Sequence, residues 1–238
     1  MDWLRIRPCL LAGFVAGVLG CSAGPGVRAA ADPSFPGSLH GVAAASSTDA
    51  WAVGFTSPPG GRNDTLIVHW NGTAWSRVAS PSLGHSSGLL GVAATSATSA
   101  WAVGDYSTMA GAHTLIVHWN GTAWSRVASP SPGTESSLTA VTATSANDAW
   151  AVGYTDAPAG PTPLILHWNG TSWSKVASPG PSGSGGRLGV SATSAASAWA
   201  VEGTYTSPSR EATLILHWNG TTWSVSYTHL TLPTICSV

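Results

Sequence analysis

Hydrophobic positions fall into short runs separated by Gly, Ser, Pro and Asn, and the runs recur. The string W-A-V begins at Trp51, Trp101, Trp150 and Trp199, at spacings of 50, 49 and 49 residues. The string H-W-N-G begins at His69, His118, His167 and His217, at spacings of 49, 49 and 50. A further tryptophan follows at Trp75, Trp124, Trp173 and Trp223, so 12 of the 13 tryptophans are locked to the repeat. A fixed period of this length marks a repeat architecture. Each copy predicts four short strands. In the second copy these are Leu90–Ala94, Ala100–Gly104, Thr114–Trp119 and Ala123–Val127. Asn120-Gly121 separates the third from the fourth, and Asn-Gly recurs at Asn71, Asn169 and Asn219. Asn and Gly both tolerate positive φ, which predicts a tight type I′ hairpin turn.

The third strand is apolar on consecutive residues, as in Leu66-Ile67-Val68 and Leu164-Ile165-Leu166. Continuous apolarity means burial on both faces. An isolated four-stranded sheet cannot bury both faces, whereas sheets stacked radially can. The expected fold is therefore all-β, a β-propeller of four-stranded antiparallel blades. The four copies span about 37–86, 87–135, 136–184 and 185–224 and are read as part of a larger propeller.

The period and the order of hydrophobic-Gly, hydrophobic-aromatic, turn and Trp resemble kelch repeats, with H-W-N-G-T-x-W where kelch blades carry an aromatic, a turn and a Trp. A kelch blade has a Gly pair after its second strand. Here single Gly54, Gly104 and Gly153 stand there, and the fourth copy has Glu202-Gly203. The resemblance covers residues 37–224, and the motifs also look like the W-A-V-G/H-W-N-G repeats of uncharacterised exported bacterial proteins. It implies a partner-binding propeller, with a galactose-oxidase-type enzymatic minority as the alternative.

The ends differ from the repeats. Arg5 and Arg7 precede an apolar stretch from Cys9 to Gly20 that is too short to span a bilayer as a helix. That is the pattern of a secretory signal over 1–21. Val18-Leu19-Gly20-Cys21 resembles a bacterial lipobox, which would make Cys21 the acylated N-terminus; cleavage after Ala29-Ala30-Ala31 is the alternative. The expected location is extracytoplasmic, either lipid-anchored in the cell envelope or secreted. Residues 22–36, rich in Gly, Ala and Pro, read as a flexible tether. After Ser224 the chain leaves the repeat, and Val225–Thr234 resembles a translated sequencing adapter. Residues 225–238 are accordingly read as a foreign tail, a divergent native end being the alternative.

Charged residues make up only 8% of the chain and the net charge is −1. A protein that tracks nucleic-acid phosphates needs many more cations. The hydrophobic fraction of 43% argues against disorder. Cys9, Cys21 and Cys236 lie outside the repeats, so no disulfide framework is expected.

Chemistry is sparse. The repeat histidines fall one per blade, and equivalent positions diverge instead of converging on one ion, so no metal and no cofactor is expected. The tryptophans are expected between blades, with sugar stacking as the alternative. The four Asn-Gly-Thr sites match the N-glycosylation pattern and are read as turns. Asp49 and Asp148, replaced by Ser99 and Ser197 in the other copies, are expected to cap turns. No G-x-S-x-G, H-E-x-x-H or phosphate-binding Gly loop is present.

Up-and-down topology places the 1–2 and 3–4 turns at one end, and the 2–3 loops and blade-to-blade links at the other. The second end carries the segments that differ between copies, 55–64, 105–113, 154–163 and 204–212, with links 82–88, 131–137 and 180–186. A binding face is expected there, built from Arg62, Asp64, His85, Asp105, Tyr106, His113, Glu135, Tyr154, Asp156, Arg187, Tyr205, Arg210 and Glu211. The function class expected is a non-catalytic binding module for an extracellular glycan or protein. A glycan-active enzyme fragment, with Asp105 and Asp156 as converging carboxylates, and a structural envelope protein are the alternatives.

Overall fold

The computed structural model describes residues 35–158, 160–179, 189–207 and 210–228, with no side chain described at 204–207, 210–212, 227 and 228. The signal segment with Cys21, most of the tether, Arg187 and residues 229–238 of the tail lie outside the described residues, as do the side chains of Tyr205, Arg210 and Glu211.

The backbone forms four four-stranded sheets, each antiparallel and in chain order. Blade 1 holds β1 (Ser38–Ser46), β2 (Asp49–Thr56), β3 (Asp64–Trp70) and β4 (Trp75–Val78). Blade 2 holds β5 (Ser86–Ser96), β6 (Ser99–Thr108), β7 (Gly111–Trp119) and β8 (Trp124–Val127). Blade 3 holds β9 (Ser136–Ser145), β10 (Asp148–Thr155), β11 (Thr162–Trp168) and β12 (Trp173–Val176). Blade 4 holds β13 (Gly189–Ser194), β14 (Ser197–Ser207), β15 (Arg210–Trp218) and β16 (Trp223–Thr228). Residues 225–228, read from sequence as the start of a foreign tail, continue β16 along β15 across a register shift at Ile215/Leu216.

The core lies between blades. Trp51, Val53 and Ile67 on the forward face of blade 1 pack against Leu89, Ala102, Leu115, Val117 and Trp124 on the back face of blade 2. The same junction recurs from Trp101 onto Trp173 and from Trp150 onto Trp223. Trp51 sits 4.9 Å from Trp119 and 5.1 Å, edge-on, from Trp124, and the later junctions repeat this geometry. Each junction therefore adds aromatic contacts to simple area burial. The third strands are buried on both faces, as their continuous apolarity required.

The glycine of W-A-V-G has a steric cause. A Cβ on Gly54, Gly104 or Gly153 would lie about 2 Å from the carbonyl oxygen of Ser38, Gly88 or Ser137 on the neighbouring strand. Register shifts in that neighbouring strand, between Leu39 and Gly41 and between Leu89 and Gly91, press its carbonyl onto the glycine. In blade 4, β13 pairs only as far as Val201. No described β13 residue stands opposite Glu202.

The expected type I′ turn is not what forms. Trp70 pairs directly with Trp75, leaving a four-residue loop closed from Asn71 N–H to Ala74 C=O. Gly72 takes φ +92°. Asn71 acts through its side chain instead: Oδ1 accepts from Thr73 N–H, Thr73 Oγ1 and Ala74 N–H at 2.8–3.0 Å. The asparagine carbonyl satisfies backbone donors that a two-residue turn would not have left open, and the other three copies repeat it.

Candidate functional site

The two ends of the blades separate as topology demands. At the turn end, the indole N–H of Trp70 donates to Ser47 C=O, and Gly72 lies over Thr48. At the link end, His85 N–H donates to Ser107 C=O and Asp156 N–H to Glu135 C=O, tying links to the 2–3 hairpins. Thr65 and Thr114 reinforce this by bonding Ser80, Ser82, Ser129 and Ser131 of the links.

The turn end corrects one expectation. Asp49 and Asp148 do not primarily cap turns. Asp49 Oδ1 lies 2.6 Å from His69 Nε2, and Asp148 Oδ1 lies 2.7 Å from His167 Nε2. Each histidine in turn stacks on the W-A-V tryptophan, at 4.2 Å and 4.1 Å. The carboxylate orients an imidazole that props the inter-blade indole, a structural task. Where Ser99 replaces the acid, His118 Nε2 lies 3.4 Å from the hydroxyl, and burial holds the His118 pKa below its ordinary value.

The link end also differs from expectation. Segment 105–113 is not a loop but an extension of paired strands, and the described residues 204–207 and 210–212 belong to paired strands too. Asp105 pairs with Thr114 and Tyr106 with His113, up to a two-residue tip at Met109-Ala110. Tyr205 pairs with Glu211 in the same manner, and Tyr154 lies in β10 opposite Pro163. Aromatic and β-branched residues in these segments favour pairing over open loops. Arg62, His85 and Asp156 lie outside strands, Asp64 begins β3, and Glu135 makes an isolated bridge with Ala112.

These residues form separate groups. Arg62 and Asp64 make an exposed pair, 3.7 Å apart, on blade 1. Tyr106 stacks with His113 at 5.3 Å, and Arg126 lies 5.1 Å from the Tyr106 ring while donating to its hydroxyl. His113 is held by Thr108 at 3.1 Å. A third group crosses from blade 2 to blade 3. Asp105 accepts a 2.8 Å bond from Ser137 Oγ. Burial raises the Asp105 pKa against the lowering effect of Ser137, and the Glu135 charge raises it further.

Asp156 is committed elsewhere. It accepts from Thr134 Oγ1 at 2.6 Å and from Glu135 N–H at 2.8 Å, which lower its pKa. It fastens the blade 2–3 link. Among the described residues no cluster of three or more His, Cys, Asp or Glu is arranged to hold a metal ion.

Asp105 opens onto a cleft of about 150 Å³ between blades 1 and 2, lined also by Phe55, Asn63, Ser86, Ser87, Leu90 and Ser107. Phe55 stacks on His40 at 5.2 Å. Phe55, Asn63 and Ser137 escaped the sequence reading, which weighted charged groups and tyrosines. A signal was present: the position of Asp105 holds Phe55, Tyr154 and Gly203 in the other blades, a different residue in every copy.

No protein-family model matches the chain, and no curated protein sequence matches it. Solved structures do resemble it. One, described as YCF48 bound to D1 peptide, has a TM-score of 0.52 and 15% identity over 84% of this chain. The fold is a β-propeller. The chain spans 56% of the length of that structure. A GH43_12 protein retrieved from a capybara gut metagenome has a TM-score of 0.48 and 10% identity, covering 87% of this chain and 44% of its own. A thermostable family-43 glycoside hydrolase has a TM-score of 0.45 at 10% identity, covering 80% of this chain and 75% of its own.

Proposed function

We propose that this propeller is an exported, non-catalytic binding module that takes an extracellular glycan or polypeptide at its link end. The observation that carries the reading is the position of Asp105. Asp105 lines the cleft, its carboxylate reaches across to Ser137 of blade 3, burial raises its pKa, and every blade carries a different residue at its position. A residue that opposes stability at a repeat-breaking position points to ligand binding. Phe55 supplies an aromatic face, and Asn63, Ser86 and Ser107 supply donors and acceptors suited to hydroxyls or peptide groups. The kelch-like order of the repeats fits a partner-binding scaffold. So does the peptide bound by a protein of similar fold. The basic-apolar-cysteine pattern of 1–21 supports attachment of the module to the envelope through Cys21.

The test is a panel of oligosaccharides and peptides titrated onto the full chain. Asp105→Ala and Asn63→Ala are expected to weaken binding at least about tenfold, as truncation of a central contact does. Ala97→Glu, in a turn at the opposite end, is expected to leave binding unchanged. Equal losses at both ends refute the face assignment. Polysaccharide turnover that disappears in Asp105→Asn refutes the non-catalytic reading in favour of a glycan-active enzyme.

A further inference from the structure

Each internal junction has two halves, and among the described residues one further copy of each half is uncovered. On the forward side, the W-A-V tryptophan and the valine two residues later are sealed by the next blade. Trp51, Trp101 and Trp150 are 0–1% exposed, and Val53, Val103 and Val152 are 0% exposed. In blade 4 the equivalent Trp199 and Val201 are 42% and 50% exposed. Trp199 still stacks on its histidine, His217, at 4.2 Å and 31°, the geometry of Trp51 on His69. The face is formed as in the other blades but lacks its cover.

On the back side, the pair of tryptophans flanking the Asn-Gly loop receives the preceding blade. Trp124, Trp173 and Trp223 are buried there. In blade 1 the pair Trp70–Trp75 keeps the same spacing, 5.8 Å against 5.9–6.0 Å, yet Trp75 is only half-buried. Beside it, Val42 is 71% exposed where Val92 and Val141 are 9% and 8% exposed. Leu39 is 52% exposed where Leu89 and Leu138 are 0% exposed. Blades 1 and 4 share no strand packing comparable to the three internal junctions among the described residues.

We infer that the forward face of blade 4 docks the back face of blade 1 of a second copy, head to tail, in the geometry of the internal junctions. The chain itself shows three times what covers such a face: a sheet carrying the paired tryptophans. Among the described residues, the one such sheet left open is that of blade 1. Phe35 packs on Ala52, Leu66 and Val68 of that sheet, where the forward face of a preceding blade rests in the other junctions. Phe35 therefore competes with the incoming copy and weakens the association. Because the two faces differ, the contact is heterologous and either closes into a ring or extends as a chain.

The experiment is analytical ultracentrifugation of the full chain over a concentration series, with three surface variants. Parent protein is expected to rise above monomer mass with concentration. Trp199→Glu, or Val201→Lys if the first fails to fold, removes the blade 4 face. Val42→Lys removes the blade 1 face. Each variant alone is expected to remain monomeric, with association weakened at least about tenfold. Mixed, they are expected to form a 1:1 heterodimer, because each retains the face the other lacks. Phe35→Ala is expected to strengthen parental association. A parent that stays monomeric at every concentration overturns the inference. If Trp199 is then also shielded from a soluble quencher, a segment of the same chain covers the face. A parent that associates while the mixed variants do not overturns the head-to-tail arrangement.

Discussion

Trp150 and Trp199 occupy the same place in successive repeats, so replacing each by alanine isolates what the neighbouring blade contributes. Both rings stack on a histidine, at 4.1 Å and 4.2 Å, and that contact cancels in the comparison. Trp150 is fully buried, whereas Trp199 is 42% exposed. A tryptophan buries about 200 Å², worth about 5 kcal/mol at 25 cal/mol per Å². The partly exposed ring retains about 3 kcal/mol of that. Trp150 also touches Trp218 at 4.9 Å and Trp223 at 5.2 Å, and ring pairs add about 1–2 kcal/mol in sum. Trp150→Ala is therefore expected to cost about 3 kcal/mol more than Trp199→Ala. The assay is urea unfolding followed by far-ultraviolet circular dichroism, at a dilution where copies do not associate. A difference under about 1 kcal/mol would refute the reasoning, because burial by the adjacent blade would then not be the source of stability.

Three further outcomes follow from other contacts. Gly104→Ala places a Cβ 2.0 Å from Gly88 C=O and is expected to cost about 2–3 kcal/mol, while Gly203→Ala meets nothing within 4 Å and is expected to be near neutral; similar midpoints in urea would contradict the steric account. The folded state holds the Asp105 proton to higher pH than a free carboxyl with a value of 3.8, so stability is lost as pH rises through that interval. Asp105→Asn is expected to be more stable than the parent at pH 7, the gap closing below 3.8, and a constant gap across pH in thermal melts would oppose this. Ser99→Asp rebuilds in blade 2 the pairs seen in blades 1 and 3, and is expected to raise the His118 pKa in an NMR titration; an unchanged value would show that the carboxylate does not reach the imidazole.

The local pattern of residues determined the blades. Period, consecutive apolarity in the third strand and the tryptophan spacing are properties of neighbouring residues, and they specified four four-stranded sheets stacked through tryptophan. The separation of turn end from link end followed from strand order alone. Contacts between residues about 20 apart did not follow. The partnership of Asp49 with His69 depends on the register of β2 against β3, which no local pattern reports. The same is true of Gly54, whose necessity comes from the carbonyl of Ser38 on another strand. Segment 105–113 read as a loop because its residues vary between copies, but variation does not prevent pairing.

The sequence by itself determined the repeat, the strand order and which end of the blades could differ from copy to copy, because those rest on hydrophobic periodicity and chain connectivity. Only the tertiary structure decided how residues with the same place in the repeat diverge. Trp199 is as apolar as Trp150, and Val42 as apolar as Val92. What separates them is whether another sheet stands within van der Waals reach. Asp105 reads as an ordinary surface acid until Ser137 of the next blade bonds it and burial takes it partly out of water. Burial is a property of neighbours, and in a stacked fold the neighbours are set by assembly of the blades.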